Sequence, residues 1–183
     1  MTSAISKLRA LLPSWSEPVL DRLHVDFDPP RRQPSAGQVA AATLLAVLGS
    51  LLADALLVKV GTRVFPSTQG YVHFQFSDYA KLTVIGVLIA CAAWPVVTRV
   101  TSRPRWLFFR MAIGVTLVLW APDAWLLLVH NSLDEVGVLM TMHLAIAVVT
   151  YNLLVRLAPT GRRRPAVARR ARDPLSGQAV RVR

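Results

Sequence analysis

Four nearly uninterrupted apolar stretches, residues 38–60, 80–98, 106–129 and 136–157, constrain the fold more than any other feature of this chain. A hydrocarbon core about 30 Å thick is crossed by about 20 residues at about 1.5 Å rise each. The stretches hold 23, 19, 24 and 22 residues, so each is long enough to cross. Helices of a soluble bundle would show polar residues recurring every third or fourth position. In residues 106–129 the clear polar interruptions are Arg110, Thr116 and Asp123, too few for a solvated face. The expectation is an all-α protein, a membrane-embedded antiparallel four-helix bundle with short connections. A content of 54% hydrophobic residues agrees with it.

Charge placement orients the bundle. Of 21 Lys and Arg residues, five lie in residues 1–37, three in 59–81, four in 99–110 and nine from Arg156 onward. The positive-inside rule then puts the connection between the second and third stretches, and both termini, in the cytoplasm. Residues 61–79 and the turn 130–135, which carries Asp134 and Glu135, face outward. This divides the chain into a cytoplasmic segment 1–37, a transmembrane domain 38–157 and a basic tail 158–183 in the plasma membrane of a bacterial cell. The 18 Arg against 3 Lys fit a GC-rich bacterial genome.

The net charge of +11 raises the question of nucleic acid, because clustered arginines supply non-specific phosphate affinity. Arg162-Arg163-Arg164, Arg169-Arg170 and Arg172 instead follow directly on the last stretch, where anionic headgroups attract basic residues by about 1 kcal/mol each. The expected partners are the lipid bilayer and anionic headgroups at the tail, with no specific nucleic acid. A protein partner or a second copy of the chain is left open.

In the first 37 residues, Ile5, Leu8, Leu12 and Trp15 recur at intervals of three and four, the pattern of a short helix lying on the membrane surface. Pro29, Pro30 and Pro34 make a stiff linker after it. Residues 62–79 carry Phe65, Tyr71, Phe74, Phe76 and Tyr79. The partial alternation over 71–76 reads as a short strand, and the aromatics read as an interfacial belt. Trp94-Pro95 is expected to end or bend the second helix. The single cysteine, Cys91, lies within a stretch and excludes an internal disulfide and a cysteine-based metal cluster.

Ionisable residues inside the spans are expensive in lipid, at about 2.5 to 3.5 kcal/mol each on insertion scales, and are the first places to look for function. Three qualify: Asp54, Asp123 and His143. With the first and third helices running outward and the fourth inward, each lies about 9 to 10 Å below the outer face. Three polar groups at one depth on three helices can meet as an intramembrane cluster, with the imidazole relieving the carboxylates. Pro122 is a candidate kink that removes a backbone hydrogen bond beside Asp123. One His and two Asp reach only three ligands, and no nucleophile has an adjacent base. No catalytic residue, metal or cofactor is therefore expected.

Gly37, Ala41, Ala42, Ala46, Gly49 and Ala53 supply small residues at helical spacing in the first stretch, as do Gly86, Ala90 and Ala93 in the second. The span order, the basic connection Arg99-Val100-Thr101-Ser102-Arg103-Pro104-Arg105 leading to Arg110, and Leu139-Met140-Thr141-Met142-His143-Leu144 resemble a family of small four-helix membrane proteins of unknown function from actinobacteria, over about residues 37–158. The resemblance implies a membrane topology and an emphasis on His143, and no activity. Two functions are expected to compete: a non-enzymatic accessory or interaction protein, in which the polar cluster glues helices, and a small proton-coupled transporter or permease that uses it. No internal repeat supports the transporter.

Overall fold

The ends of the long helices are set by local chemistry that lies outside their apolar stretches. The computed structural model describes Pro13 and residues 16–22, 25–129 and 132–161. A short helix, α1 (Glu17–Arg22), precedes α2 (Ala36–Val64), α3 (Phe76–Val100), α4 (Pro104–Leu128) and α5 (Leu133–Leu157). Two 3-10 turns, Pro66–Thr68 and Val72–Phe74, join α2 to α3. The chain is all-α, and α2 to α5 are each long and apolar enough to cross a membrane, which suggests a membrane protein. The amphipathic pattern of residues 5–15 and the arginine-rich tail from Arg162 lie outside the described residues, apart from Pro13.

Capping boxes extend α2 and α5 beyond their apolar cores. Ser35 Oγ accepts from the Gln38 N–H at 3.2 Å, while the Gln38 side chain accepts from the Ser35 N–H at 2.9 Å. Ser132 and Glu135 repeat the exchange at 3.3 and 3.0 Å. Each box satisfies two N–H groups that a helix start leaves orphaned. Asp134 and Glu135, expected in a turn, therefore sit in the first turn of α5, where the helix dipole favours negative charge.

Two local expectations are corrected. Residues 71–76 do not form a strand: the Phe74 N–H bonds Tyr71 at 3.0 Å and the Gln75 N–H bonds Val72 at 3.2 Å, closing a 3-10 turn just before α3 begins. A single strand here would need a ladder partner, whereas the turn satisfies its backbone locally. Gly70, at φ +85°, provides the reversal before it. Nor does α3 end at Trp94-Pro95, because it runs on to Val100.

The bundle is organised around α5, which packs on α2 most extensively and also on α4 and α3, while α2 and α4 occupy opposite corners. Close approach of α2 and α5 needs small residues. A Cβ added at Gly61 would come 2.8 Å from Val138 Cγ2, and one at Gly49 would come 3.1 Å from Val149 Cγ1. Ala42, Ala46, Ser50 and Asp54 repeat every four residues and form the fully buried stripe of α2. Leu44, Leu48, Leu52 and Leu56 form an exposed apolar ridge elsewhere on the same helix.

At the end of the bundle where the chain enters and leaves, Trp94, fully buried, donates from Nε1 to the Ala158 carbonyl at 3.0 Å and meets Phe108 edge-on. Phe108 stacks in turn on Tyr151. The proline-rich linker docks across this end as a strap. The Phe27 N–H bonds Val100 at 3.0 Å, Gln33 Nε2 bonds the Thr98 carbonyl at 2.9 Å, and the Gly161 N–H bonds Arg32 at 3.0 Å. Asp26 accepts from the Ser102 N–H at 2.8 Å and from its hydroxyl. Phe27 holds a left-handed φ of 52°, a conformation that costs an ordinary residue about 1 to 2 kcal/mol, so the strap's bonds have strain to offset.

Replacing Gly61 by Ala is expected to destabilise the fold. The helix-propensity gain of about 1 kcal/mol is outweighed by about 1 to 3 kcal/mol of overpacking against a stiff β-branched neighbour. Val138→Ala in the same chain restores the melting temperature, and the four-variant cycle measures this directly. Partial burial works to raise the Asp26 carboxyl, but the Ser102 hydroxyl and the N–H groups of Asp28 and Ser102 outweigh it and hold Asp26 below the usual carboxylate range. A lowered folded-state pKa contributes stability above the unfolded value, near 3.9, that is lost as pH falls through the folded one. Asp26→Asn should thus melt below the native chain at neutral pH and converge with it on acidification, by a small margin because Asp26 is exposed.

Candidate functional site

The buried polar side chains are few, and helix packing decides which of them meet. Asp54 on α2 is fully buried and Asp123 on α4 is 6% exposed. Asp123 Oδ2 lies 2.9 Å from His143 Nδ1 on α5. Asp54 does not join them by direct contact. Its Oδ2 accepts from the Thr83 hydroxyl of α3 at 2.7 Å. His143 is near enough to act on Asp54 through space, so the three residues share one electrostatic neighbourhood but form two separate contacts.

Packing order explains the division. α2 and α4 lie at opposite corners with α5 beside both, so the two carboxylates approach from different sides, and the contacted nitrogen of His143, Nδ1, is turned to Asp123. His143 Nδ1 also lies 3.1 Å from the carbonyl of Leu139, one turn back on its own helix. A single Nδ1 hydrogen therefore faces two acceptors. The approach to Asp123 is close enough for an ion pair yet is not aligned as a full hydrogen bond, so the buried Oδ2 lacks a well-directed donor. Asp54 Oδ1 is buried with no hydrogen-bond partner among the described residues.

Chemically, the Asp123–His143 pair is neutral both as carboxylate with imidazolium and as carboxylic acid with imidazole. A proton can pass between them without changing the net charge. Among the described residues, no group of three or more His, Cys, Asp or Glu side chains is arranged to hold a metal ion. Pro122 lies one residue before Asp123, inside a helix that continues through it to Leu128. With no amide hydrogen at Pro122, the carbonyl one turn back loses its helical partner. Further along the same interface, Trp120 Nε1 bonds the Met140 carbonyl at 3.0 Å.

The 3-10 turns border the same end of the bundle. Tyr71 meets His73 and Phe74 edge-on, at ring separations of 5.2 and 5.1 Å. Its buried hydroxyl has no hydrogen-bond partner. Burial first, and then the charges of Glu135 and Asp123, push the Tyr71 phenol above its usual range.

Thr83 is the site residue that inspection for charged groups misses. Its signal was present all the same, as the one hydroxyl in the apolar run Leu82 to Ala90. Matching hydroxyls as well as charges by depth would have found it. A double-mutant cycle with Asp54→Asn and Thr83→Val is expected to give a coupling of about 0.6 to 1.7 kcal/mol, the range for hydrogen bonds between helices in a bilayer. Thermal unfolding of the four chains measures it, and strict additivity would mean that the bond contributes nothing.

Comparison with known proteins finds one family across most of this fold. The chain matches the Family of unknown function (DUF6069) over residues 28–160. The match takes in the strap from residue 28 on, though not Asp26 or Phe27, and the residues just after α5, a wider span than the four apolar stretches. No curated protein and no solved structure matches the chain. With well over half of its length covered, the chain belongs to the Family of unknown function (DUF6069).

Proposed function

We propose that this protein is a non-enzymatic accessory or interaction protein of the plasma membrane, with both termini cytoplasmic and its buried carboxylates serving to fix the helix arrangement. The observation that carries this is the allocation of partners. Asp54 has Thr83 and Asp123 has His143, each on a neighbouring helix, so every buried carboxylate ties two helices together. The strap's Arg31 and Arg32 and the α3–α4 connection's Arg99, Arg103 and Arg105 lie toward one end of the bundle, where anionic headgroups and the positive-inside rule favour them. Asp134 and Glu135 lie at the other end.

A second function has its own support. The Asp123–His143 pair can hold a proton, and Asp54 keeps one oxygen free of donors, as a small proton-coupled transporter would require. Reconstitution in liposomes carrying an internal pH dye separates the two. The accessory role predicts no proton flux from the native chain, together with lowered melting temperatures for Asp54→Asn, Asp123→Asn and His143→Gln. A flux present in the native chain and lost in all three variants would replace it with transport. Reporter fusions in the 130–135 turn are expected to lie outside the cell, and a cytosolic reporter there would reverse the orientation.

A further inference from the structure

Hydroxyls in apolar helices, buried or exposed, ordinarily bond a carbonyl one turn back on their own helix. This chain follows that habit at several sites: Thr62 bonds Val58 at 2.8 Å, Thr116 bonds Ala112 at 2.8 Å and Thr141 bonds Gly137 at 2.7 Å. Two of the most deeply buried hydroxyls depart from it. Ser50 on α2 is fully buried and Thr150 on α5 is 3% exposed, and neither oxygen has a hydrogen-bond partner among the described residues. Asp54 Oδ1 is in the same condition.

Helix register brings the three into one region. The approach of Gly49 to Val149, and of Gly61 to Val138, sets α2 and α5 antiparallel with position numbers summing to about 199. Ser50 is thereby level with residues 149 and 150. Asp54 follows Ser50 by one turn on the same buried stripe, and His143 precedes Thr150 by seven residues on one face of α5. A column of polar groups therefore runs down the bundle interior from Asp123 and His143, past Asp54 and Thr83, to Ser50 and Thr150.

We propose that Asp54, Ser50 and Thr150 form a binding site for one monovalent cation of the sodium class, with a carboxylate oxygen and two hydroxyl oxygens as ligands. The donor set is all oxygen, which suits hard cations rather than the softer transition metals. Its charge argues for a single positive charge. Asp54 brings one carboxylate, whereas divalent calcium collects six to eight oxygens, commonly from several carboxylates. His143, the nearest cationic candidate, is in contact with Asp123 instead. The Thr83 hydroxyl donates to Oδ2 and leaves Oδ1 for the ion. A cation here satisfies three buried oxygens together, which no side chain in the bundle does. The site requires only the helix arrangement and is independent of both functions proposed above.

The test is thermal unfolding of the full chain in lipid nanodiscs, in sodium chloride against choline chloride at equal ionic strength, so that screening is constant. At ten times the dissociation constant, sodium is expected to raise the melting temperature by about 3 to 6 °C. Thr150→Val and Ser50→Ala, which leave Asp54 and its Thr83 bond in place, should each weaken the apparent sodium affinity by about tenfold, the loss of one ligand. Asp54→Asn should abolish the response. Radiolabelled sodium binding to the native chain decides the matter even if a variant fails to fold. A native chain that melts identically in sodium and choline and binds no label would overturn the proposal, as would variants that keep the full response.

Discussion

In a membrane, which these helices are long and apolar enough to cross, turning a leucine toward a neighbour rather than toward lipid gains little, and the arrangement there depends on how closely two backbones approach and on which polar groups find each other. The seam between α2 and α5 meets the first condition. Gly49 and Gly61 on α2 leave room for Val149 and Val138, and Ala42 and Ala46 extend the contact toward the terminal end. That seam holds α5 against α2, and α4 and α3 pack on α5 in turn. α4 has the smallest buried share, with Leu107 and Phe108 anchoring one end and Asp123 the other. The Asp123–His143 contact and the Trp120–Met140 hydrogen bond are polar tethers of its far half.

The two ends are built on different chemistry. At the terminal end, large rings fill the space, and the docked strap and the Trp94 indole use backbone groups that helix termini leave open. Ala158, just past α5, gives its carbonyl to Trp94 and so converts an orphaned acceptor into a link between α3 and α5. At the other end the contacts are polar and less complete, with Tyr71, Asp123 and Asp54 each keeping a buried oxygen short of a donor. Rings pack at both ends, Trp94 on Phe108 at one and Tyr71 on Phe74 and Phe76 on Tyr79 at the other, and the chemical options lie where buried polar groups are incompletely satisfied.

The number and order of the long helices were legible in the sequence, because uninterrupted apolar length is a signal that needs no knowledge of neighbours. Their ends were less so. Ser35 with Gln38 and Ser132 with Glu135 are local capping patterns that could have been read, and overlooking them placed residues 133–135 in a turn. The partial alternation at 71–76 misled because period alone does not reveal whether a ladder partner exists. For the site, equal depth identified Asp54, Asp123 and His143 as neighbours in height, but height does not fix which corner of the bundle a helix occupies. The choice of His143 for Asp123, and of Thr83 for Asp54, depends on lateral order, which small-residue contacts between α2 and α5 set and no single helix encodes.

That lateral order also determines why the two carboxylates are so differently served. α2 and α4 stand at opposite corners, α2 is held against α5 by close packing at Gly61, and the contacted nitrogen of His143 is turned to Asp123 on α4. Asp123 lies within ion-pair distance of a group able to carry positive charge, and Asp54 is left with a neutral hydroxyl that donates a single hydrogen. A carboxylate so placed carries either a proton or a counter-ion, because leaving its charge bare in a medium of low dielectric costs far more than one hydrogen bond returns. The demand for a partner at Asp54 is thus a consequence of the glycines that bring α2 and α5 together, and packing and chemistry in this bundle cannot be altered independently.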